Sequence, residues 1–356
     1  MEDIYWNIGK TLTHNRLINV IVGNRGGGKT YGAKKKAIDN FIEKGERFVY
    51  VRRYEKDIKK ALDKSAFFRD IYARYPDYQF KSDMQYLYIR EKPDDPNEKW
   101  TEDDIAGYAF VLSTANNLKS VSYPDVTLMI YDEFLLDKGM QHYLNDEPVA
   151  LLNLYETIAR PGTEHPRVIL FMLANAITIT NPYFLYWDLK MPTRKDKNGK
   201  WIWKHPTRPI LVEDVKNEAF IERKKQTEFG ALIAGTSYAD YSIENKFFLD
   251  DSTFLEKRSP NSRYYFTFTY KEKDFGVWAD FNEGLFYVSD SVDPDAAINY
   301  SITMKDHKPN TMFLKNRQNA RAFKLFIENY QLGNVRFENM QIKNICYEVI
   351  KLAMSI

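Results

Sequence analysis

The sequence is poor in the residues that form covalent or metal-linked scaffolds. Its 356 residues include a single cysteine, Cys346, which excludes an internal disulfide and indicates no redox role. The five histidines are scattered along the chain, without the spacing that zinc ligands require. No internal repeat or low-complexity tract stands out. We therefore expect neither a disulfide framework nor a zinc site.

Long hydrophobic runs and a net charge of one sign are missing as well. No apolar run approaches the roughly 18 residues that span a bilayer, and the acidic amino terminus lacks the pattern of a signal peptide. Lysine and arginine total 51 against 49 acidic residues, so overall basicity gives no argument for nucleic-acid binding. With 44% hydrophobic residues, the composition indicates a globular, cytoplasmic protein without a membrane segment, long enough for two domains.

The strongest pattern is a glycine-rich loop near the amino terminus. Residues 23–30 match G-x-x-x-x-G-K-[ST] at every fixed position, after an apolar run at 17–22 and before a segment that can open a helix. In that order, the backbone N–H groups of the loop point at the phosphates of a nucleoside triphosphate. Lys29 adds a cation for the same oxygens, and the Thr30 hydroxyl is placed to ligate Mg²⁺. The predicted nucleotide-binding residues of the loop are Gly23, Asn24, Arg25, Gly26, Gly27, Gly28, Lys29 and Thr30.

A second apolar run ends in two carboxylates. Residues 126–131 have the composition of a strand buried on both faces of a parallel sheet, and Asp132 and Glu133 follow it. Ligands bind outside the carboxyl ends of such strands. Asp132 is suited to hold Mg²⁺, and Glu133 to polarise a water for attack on the γ-phosphate. Alone, such a strand end is commonly an ordinary turn; the phosphate loop upstream makes it a candidate catalytic pair.

Two more polar residues follow predicted elements. Arg160 ends a predicted helix over 147–160, where a basic residue either compensates the helix dipole or reaches the nucleotide of a neighbouring subunit. Asn175 follows the buried-strand pattern of 167–173, where it senses the γ-phosphate, orients the attacking water or forms a simple turn. The spacing does not choose between these alternatives.

A basic cluster lies at and just after the end of the strand predicted over 48–53, and its members are Arg52, Arg53, Lys56, Lys59 and Lys60. Such a run is usually the solvated face of a helix, and the alternative is a contact with the phosphate backbone of nucleic acid. The candidate DNA contacts are Arg53, Lys56 and Lys59.

The pattern changes in the second half of the chain. A charged, helical segment over 212–228 predicts a linker, and three strands at 263–270, 275–280 and 284–289 begin a second domain. We predict an α/β fold, with an ATPase domain that has a mostly parallel sheet over 1–208, a small helical linker over 209–233 and an α+β domain over 234–356.

Together these segments resemble a known family, the genome-packaging ATPases of short-tailed, phi29-like bacteriophages. The segments that carry the resemblance are 17–30, 48–54, 131–134, 150–160, 175–184, 276–288 and 339–348. The resemblance implies a homomeric, pentameric ring that translocates double-stranded DNA into a preformed capsid by hydrolysing ATP with Mg²⁺. It implies action in the host cytoplasm, at the portal of the capsid and outside the mature virion, with a packaging RNA in some relatives.

The resemblance also assigns roles to individual residues. It places Lys29 and Thr30 on phosphate and Mg²⁺, Asp132 on Mg²⁺, and Glu133 as the catalytic glutamate. Arg160 takes the place of an arginine finger that acts on a neighbouring subunit, and Asn175 that of a sensor. The ATPase domain is expected to have the P-loop ASCE fold, in which the catalytic glutamate follows the strand that ends in the Mg²⁺ carboxylate.

For the second domain, the resemblance implies an RNase H-like fold. A metal-dependent nuclease needs several carboxylates around its cations, and Asp280, Asp290 and Asp293 are the only obvious candidates. We therefore expect this domain to bind nucleic acid or portal rather than to cut DNA.

Two other functions remain open at this point. The protein could be another DNA-handling ring ATPase, such as a helicase, which would prefer single strands and unwind duplex. It could also be a nucleotide-switched scaffold that binds DNA, in which case replacing Glu133 by glutamine would leave function intact.

Overall fold

The computed structural model describes residues 5–118, 123–136, 142–144, 146–160, 167–175, 181–216, 218–236, 253–314 and 320–354 of the chain. The chain divides into two compact units, Met1–Phe248 and Leu249–Ile356. The boundary between them therefore lies later than the predicted start of the second domain at 234. The predicted class, α/β with a mostly parallel sheet followed by an α+β domain, is confirmed.

Within the described residues, the first unit forms a sheet of nine strands. These are β1 Ile18–Gly23, β2 Arg47–Arg52, β3 Tyr78–Asp83, β4 Tyr86–Glu91, β5 Ile105–Val111, β6 Val126–Asp132, β7 Ile169–Asn175, β8 Trp201–Lys204 and β9 Ile210–Val215. Their order in the sheet is β3-β4-β5-β2-β6-β7-β1-β9-β8. The six strands from β5 to β9 in that order are parallel, and β3, β4 and β8 add antiparallel edges.

Helices cover both faces of this sheet. They are α1 Ile8–Leu12, α2 Lys29–Lys44, α3 Glu55–Leu62, α4 Glu147–Ile158, α5 Pro182–Trp187, α6 Glu218–Lys225 and α7 Glu228–Ile233, with short 3₁₀ turns at Asp63–Phe68, Tyr72–Arg74 and Leu112–Leu118. Neighbouring strand residues alternate between two cores, as the pleat requires. Val20 and Met129 join the core under α4 and α5, whereas Ile21 and Leu128 join the core under α2.

The strand order brings the predicted site residues to one edge. Strand β7 lies between β1 and β6, so that Gly23 pairs with Asn175, and Asp132 pairs with Leu173. Because all three strands are parallel, the phosphate loop, the acidic pair and Asn175 leave the sheet at the same edge. One strand, β7, thus separates the loop strand from the acidic strand.

The predicted linker is wrong over its first part. Residues 210–215 form β9, which pairs with β1 along its whole length, and the helices begin only at Glu218. The acidic pair Glu213–Asp214 suggested a solvated helix, but both side chains are only 3% exposed. Glu213 accepts hydrogen bonds from Thr11, Trp6 and Lys200, which allows these charges to lie inside a strand.

The second unit has a six-stranded sheet in its described residues. Its strands are β10 Arg263–Tyr270, β11 Lys273–Asp280, β12 Leu285–Ser289, β13 Asn299–Ser301, β14 Met312–Phe313 and β15 Val335–Phe337, and its helices are α8 Arg321–Gln331 and α9 Met340–Met354. Strands β10 to β12 are antiparallel, β13 and β14 continue parallel on the β10 side, and β15 pairs parallel with β12 on the other side. The RNase H-like fold of this unit stays a prediction. Phe266 packs against Phe323 and Phe326 of α8 in its core.

No helix in the described part of the chain has the length and apolar character needed to cross a membrane.

Candidate nucleotide-binding site

The glycine loop has the backbone geometry of an anion site. Gly26 and Gly28 adopt left-handed conformations, with φ of 85° and 81°, which residues with a β-carbon rarely adopt. Gly28 is also the N-cap residue of α2, and no side chain caps the N–H groups there. The open N–H groups and the positive end of the helix dipole therefore face the loop, where they favour a phosphate.

Lys29 lies over the loop. Its side-chain ammonium donates to the carbonyls of Gly23 and Asn24 at 3.0 and 2.7 Å, and the residue is only 7% exposed. Burial lowers the pKa of Lys29 to about 8, and the nearby carboxylates of Asp132 and Asp214 act in the opposite direction. A triphosphate on the loop would offer this ammonium stronger acceptors than the two carbonyls.

Thr30 and Asp132 converge from different elements. The Thr30 hydroxyl lies 3.2 Å from both carboxylate oxygens of Asp132. Tyr50, on the adjacent β2, also donates to Asp132 Oδ2 at 3.1 Å, and burial raises the pKa of this phenol so that it remains a donor. Hydroxyl and carboxylate oxygens are the ligands that Mg²⁺ prefers, so these residues fit a Mg²⁺ ion that accompanies a nucleotide.

Glu133 follows Asp132 in a left-handed conformation, with φ of 55°. Its side chain is 64% exposed and forms an ion pair with Arg52. The same guanidinium lies 3.7 Å from Asp132 Oδ2. Arg52 is therefore a further site residue, which the sequence placed only in a basic cluster. The signal that could have identified it is its position at the carboxyl end of β2, the strand beside β6.

These residues share one cleft. Its lining in the described structure consists of Arg25, Gly26, Gly27, Gly28, Lys29, Thr30, Tyr31, Asp132, Glu133, Ala174 and Asn175. The loop, the acidic pair and Asn175 therefore come together at the edge where the strand order placed them. The aromatic ring of Phe220, in α6, approaches the loop at Gly26, and Tyr5 approaches it at Gly28.

Arg160 lies outside this lining. It follows α4, which ends at Ile158, and it is half-buried. Its charge acts on the phenol of Tyr123, where it opposes the rise in pKa that burial causes. Within one chain, Arg160 is therefore absent from the cleft that holds Glu133.

The predicted DNA contact at Arg53 is wrong. Arg53 is only 3% exposed, and its guanidinium pairs with the fully buried carboxylate of Glu147. Lys56 and Lys59 do lie at the surface, on the exposed side of α3. Lys59 pairs with Glu55 one helical turn earlier, an exposed pair of small energetic value. Both lysines remain predicted DNA contacts.

The carboxylates proposed for the second unit lie apart. Asp280 pairs with Leu285 at one end of the β11–β12 hairpin, while Gly276 pairs with Ser289, the neighbour of Asp290, at the other. Four residues of extended strand span about 13 Å. Asp280 instead accepts hydrogen bonds from Ser259 and from the backbone of the hairpin turn. Among the described residues, no group of three or more metal-ligating side chains could hold an ion.

Comparison with known proteins confirms the resemblance. The family model described as Podovirus DNA encapsidation protein (Gp16) matches residues 1–355. The DNA packaging protein of Bacillus phage PZA is 34% identical over 350 residues, which cover 98% of each chain. That of Bacillus phage phi29 is 33% identical with the same coverage. Among solved structures, the bacteriophage Phi-29 viral genome packaging motor assembly matches with a TM-score of 0.74 at 33% identity, over 98% of this chain and 99% of that one.

Proposed function

The chain belongs to the podovirus DNA encapsidation protein (Gp16) family and functions in packaging phage DNA, and from this premise we propose how it drives that process. We propose that it hydrolyses ATP as a subunit of a homomeric, pentameric ring that moves double-stranded DNA into a preformed capsid. The observation that carries this proposal is the single cleft that joins the phosphate loop to Asp132, Glu133 and Asn175.

The loop N–H groups and five side chains of the cleft have chemical tasks in hydrolysis. The loop N–H groups and Lys29 bind the phosphates, and Lys29 exchanges its two carbonyl acceptors for phosphate oxygens. Thr30 and Asp132 would hold Mg²⁺, which when bound neutralises charge on the β- and γ-phosphates. Glu133 accepts a proton from the attacking water after its carboxylate leaves Arg52. Asn175, with its amide at the cleft, orients that water or contacts the γ-phosphate.

Arg160 completes the site from a neighbouring subunit. An arginine supplied in trans stabilises the charge of the transferring phosphoryl group, and its contribution to rate is of order 10³–10⁵. The absence of Arg160 from the cleft of its own chain supports this role. Each subunit then hydrolyses ATP only when the interface is closed, which couples neighbours around the ring.

The ring must grip DNA without reading its sequence. Contacts to the phosphate backbone meet that need, because they carry no sequence information and allow sliding. Lys56 and Lys59, both exposed on α3, are the candidate contacts. We propose that the second unit binds portal or nucleic acid, including a packaging RNA, and that the ring acts in the host cytoplasm at the capsid portal.

Steady-state ATP hydrolysis tests the proposal. The rate per subunit is measured against protein concentration, with and without double-stranded DNA and with single-stranded DNA for comparison. A rate that rises steeply with concentration and is stimulated by duplex supports shared active sites in a ring. A preference for single strands would favour a helicase. A rate that is flat per subunit and indifferent to DNA, with the portal also present, would contradict the motor.

A further inference from the structure

A fully buried ion pair lies beside the catalytic edge of the first unit. Glu147 is 0% exposed and Arg53 is 3% exposed. Arg53 Nε and Nη2 donate to the two carboxylate oxygens of Glu147 at 2.8 and 2.9 Å. The carboxylate also accepts from the hydroxyls of Tyr131 and Tyr183, at 2.9 and 2.7 Å, and from the Leu144 amide at 2.8 Å. We call Arg53, Glu147, Tyr131 and Tyr183 the buried hub.

The hub reaches the backbone of the catalytic glutamate. Arg53 Nη1 donates to the Glu133 carbonyl at 3.3 Å, and Nη2 donates to the Phe134 carbonyl at 2.5 Å. On the amide side, Glu133 N–H donates to Asp132 Oδ1 at 3.1 Å, and Phe134 N–H donates to the Leu173 carbonyl at 3.2 Å. All four polar backbone atoms of Glu133 and Phe134 are thereby bound, two of them by the hub.

We propose that Arg53 and Glu147 are positioning residues for Glu133. They hold its peptide unit in the left-handed conformation from which the side chain enters the cleft. Neither residue lines the cleft, so they act through the backbone and not on the nucleotide. Their effect falls on the rate of hydrolysis, because that step requires the Glu133 carboxylate to lie at a defined place.

Stability alone gives a weak reason for such a hub. A buried ion pair often contributes no more than well-packed apolar side chains of the same volume, since both charges lose their water. The two bonds to the Glu133 and Phe134 carbonyls are what an apolar pair could not supply. Burial raises the pKa of Tyr131 and of Tyr183 well above the usual value, so both hydroxyls remain donors.

Three variants of the full chain test the inference, which rests on the proposed ATP hydrolysis. Glu147→Gln keeps the shape of the side chain and removes the charge that orients Arg53. Tyr183→Phe removes one hydroxyl from the hub and is the gentler change if Glu147→Gln folds poorly. Tyr155→Phe is the matched control: this half-buried tyrosine packs against the same core, and its hydroxyl donates to the Val168 carbonyl, away from the hub.

The expected result is a split between kcat and KM. Small displacements of a catalytic group can lower the rate by about 10²-fold, so we expect a loss of this order in kcat for Glu147→Gln, with an unchanged KM for ATP. Tyr183→Phe should show a smaller loss in the same direction, and Tyr155→Phe none. An unchanged kcat for Glu147→Gln and Tyr183→Phe, or a rise in KM without a fall in kcat, would overturn the proposal.

Hydrogen–deuterium exchange gives a second readout that needs no hydrolysis. We expect the amides within 132–136 to exchange faster in the two hub variants, Glu147→Gln and Tyr183→Phe. The wild type and Tyr155→Phe should exchange more slowly. Exchange that stays at the wild-type rate in both hub variants counts against it. If the wild type itself hydrolyses no ATP, the proposed function fails, and the exchange measurement still decides whether the hub holds the Glu133 backbone.

Discussion

Glu133 combines an unfavourable backbone with an exposed carboxylate. A left-handed backbone costs a residue with a β-carbon about 1–2 kcal/mol, and the structure offsets this with hydrogen bonds from Arg53 to the carbonyls of Glu133 and Phe134. The carboxylate itself is paired with Arg52 at the cleft. In the proposed mechanism, nucleotide binding depends on the loop, whereas turnover depends on where the Glu133 carboxylate lies.

Glu133→Gln separates these two steps. Glutamine keeps the size of the side chain but cannot accept a proton, so we expect ATP to bind with unchanged affinity while kcat falls by about 10²–10⁴-fold. Equilibrium binding of a fluorescent ATP analogue and steady-state hydrolysis measure the two quantities on the same preparation. DNA translocation that continues in this variant would remove Glu133 from the catalytic role and favour the scaffold alternative.

Lys29 gives nucleotide binding a dependence on pH. In the free protein, burial lowers the pKa of Lys29 to about 8, so the side chain loses its proton as the pH rises through that value. Bound phosphates favour the charged form and raise this pKa. Above pH 8, binding must then take up a proton, and affinity falls as pH rises.

Proton uptake on binding is measurable by calorimetry in buffers of different ionisation enthalpy. We expect uptake near zero at pH 7 and about one proton at pH 9. The comparison at pH 7 is the internal control, because Lys29 is charged there with and without nucleotide. Equal uptake at the two pH values would show that Lys29 keeps its charge in the free protein.

The two exposed lysines that follow β2 should contribute to DNA binding in a way that depends on salt. Lys56 and Lys59 are exposed, and if each contacts one DNA phosphate, replacing it by alanine should weaken duplex binding and reduce the slope of log affinity against log salt by about 1. Lys44→Ala is the control, since Lys44 lies before β2, at the opposite edge of the sheet. Equal salt slopes for all three variants and the wild type would exclude these contacts.

At the scale of elements, the nucleotide site depends on a close approach between β1 and β9. A β-carbon on Gly23 would lie 2.7 Å from Val215 Cβ and 2.9 Å from the Val215 carbonyl oxygen. Both atoms belong to the end of β9, three residues before α6, whose Phe220 packs at the loop. An added methyl group at Gly23 must therefore move either the loop or β9.

We expect Gly23→Ala to lower the free energy of unfolding by about 1–3 kcal/mol, as for other overpacked sites, and to raise the KM for ATP. Gly107→Ala is the matched control: its β-carbon would lie 2.6 Å from the Phe48 carbonyl oxygen, between β5 and β2, but Gly107 does not line the cleft. Chemical unfolding and ATP titration measure both effects. A KM that rises equally in the two variants would mean that the loop responds to general loss of stability.

The parallel strands show which parts of the fold could be predicted from the sequence. β1, β6 and β7 are largely apolar because they are buried on both faces. β6 and β7 end in Asp132 and Asn175, which line the cleft, and β1 leads directly into the phosphate loop. The phosphate loop adds fixed positions whose geometry is known from its chemistry. For these elements, local composition and tertiary environment agree, so the strand ends and the cleft follow from the sequence.

Other elements depend on partners that are far away in the sequence. The acids of β9 are buried because Thr11 and Trp6, about 200 residues earlier, donate to Glu213. Arg53 is buried because Glu147 lies beside it, 94 residues later. A sequence window that contains only the charges predicts solvent exposure in both cases. The long-range partner is the missing information, and only the folded chain supplies it.

At the scale of the whole molecule, the described residues of one chain form a cleft that contains the proposed base and phosphate ligands, but Arg160, which follows α4, does not line it. The buried hub connects the Glu133 backbone to α4, because Arg53 donates to the Glu133 carbonyl and pairs with Glu147. Glu147 is in the first turn of α4, and Arg160 follows the other end of the same helix. One of the two proposed positioning residues, Glu147, therefore belongs to the helix that Arg160 follows, and Arg53 is joined to that helix by the ion pair. A ring would use this arrangement to link hydrolysis in one subunit to the interface with the next.

Rings assembled from two variants test whether Arg160 acts on the active site of a neighbouring subunit. An Arg160→Ala subunit keeps its own Glu133, and a Glu133→Gln subunit keeps an Arg160 that it can supply to a neighbour. In a head-to-tail ring assembled from equal amounts of both, about one site in four combines an intact glutamate with an intact arginine. Because an arginine finger contributes about 10³–10⁵ in rate, such sites should dominate the measured hydrolysis. We expect the mixture to hydrolyse ATP far faster than the mean of the two variants alone. A mixture no faster than that mean would indicate that Arg160 acts within its own subunit or has no role in catalysis. The proposed coupling between neighbouring subunits would then lack the contact on which it depends.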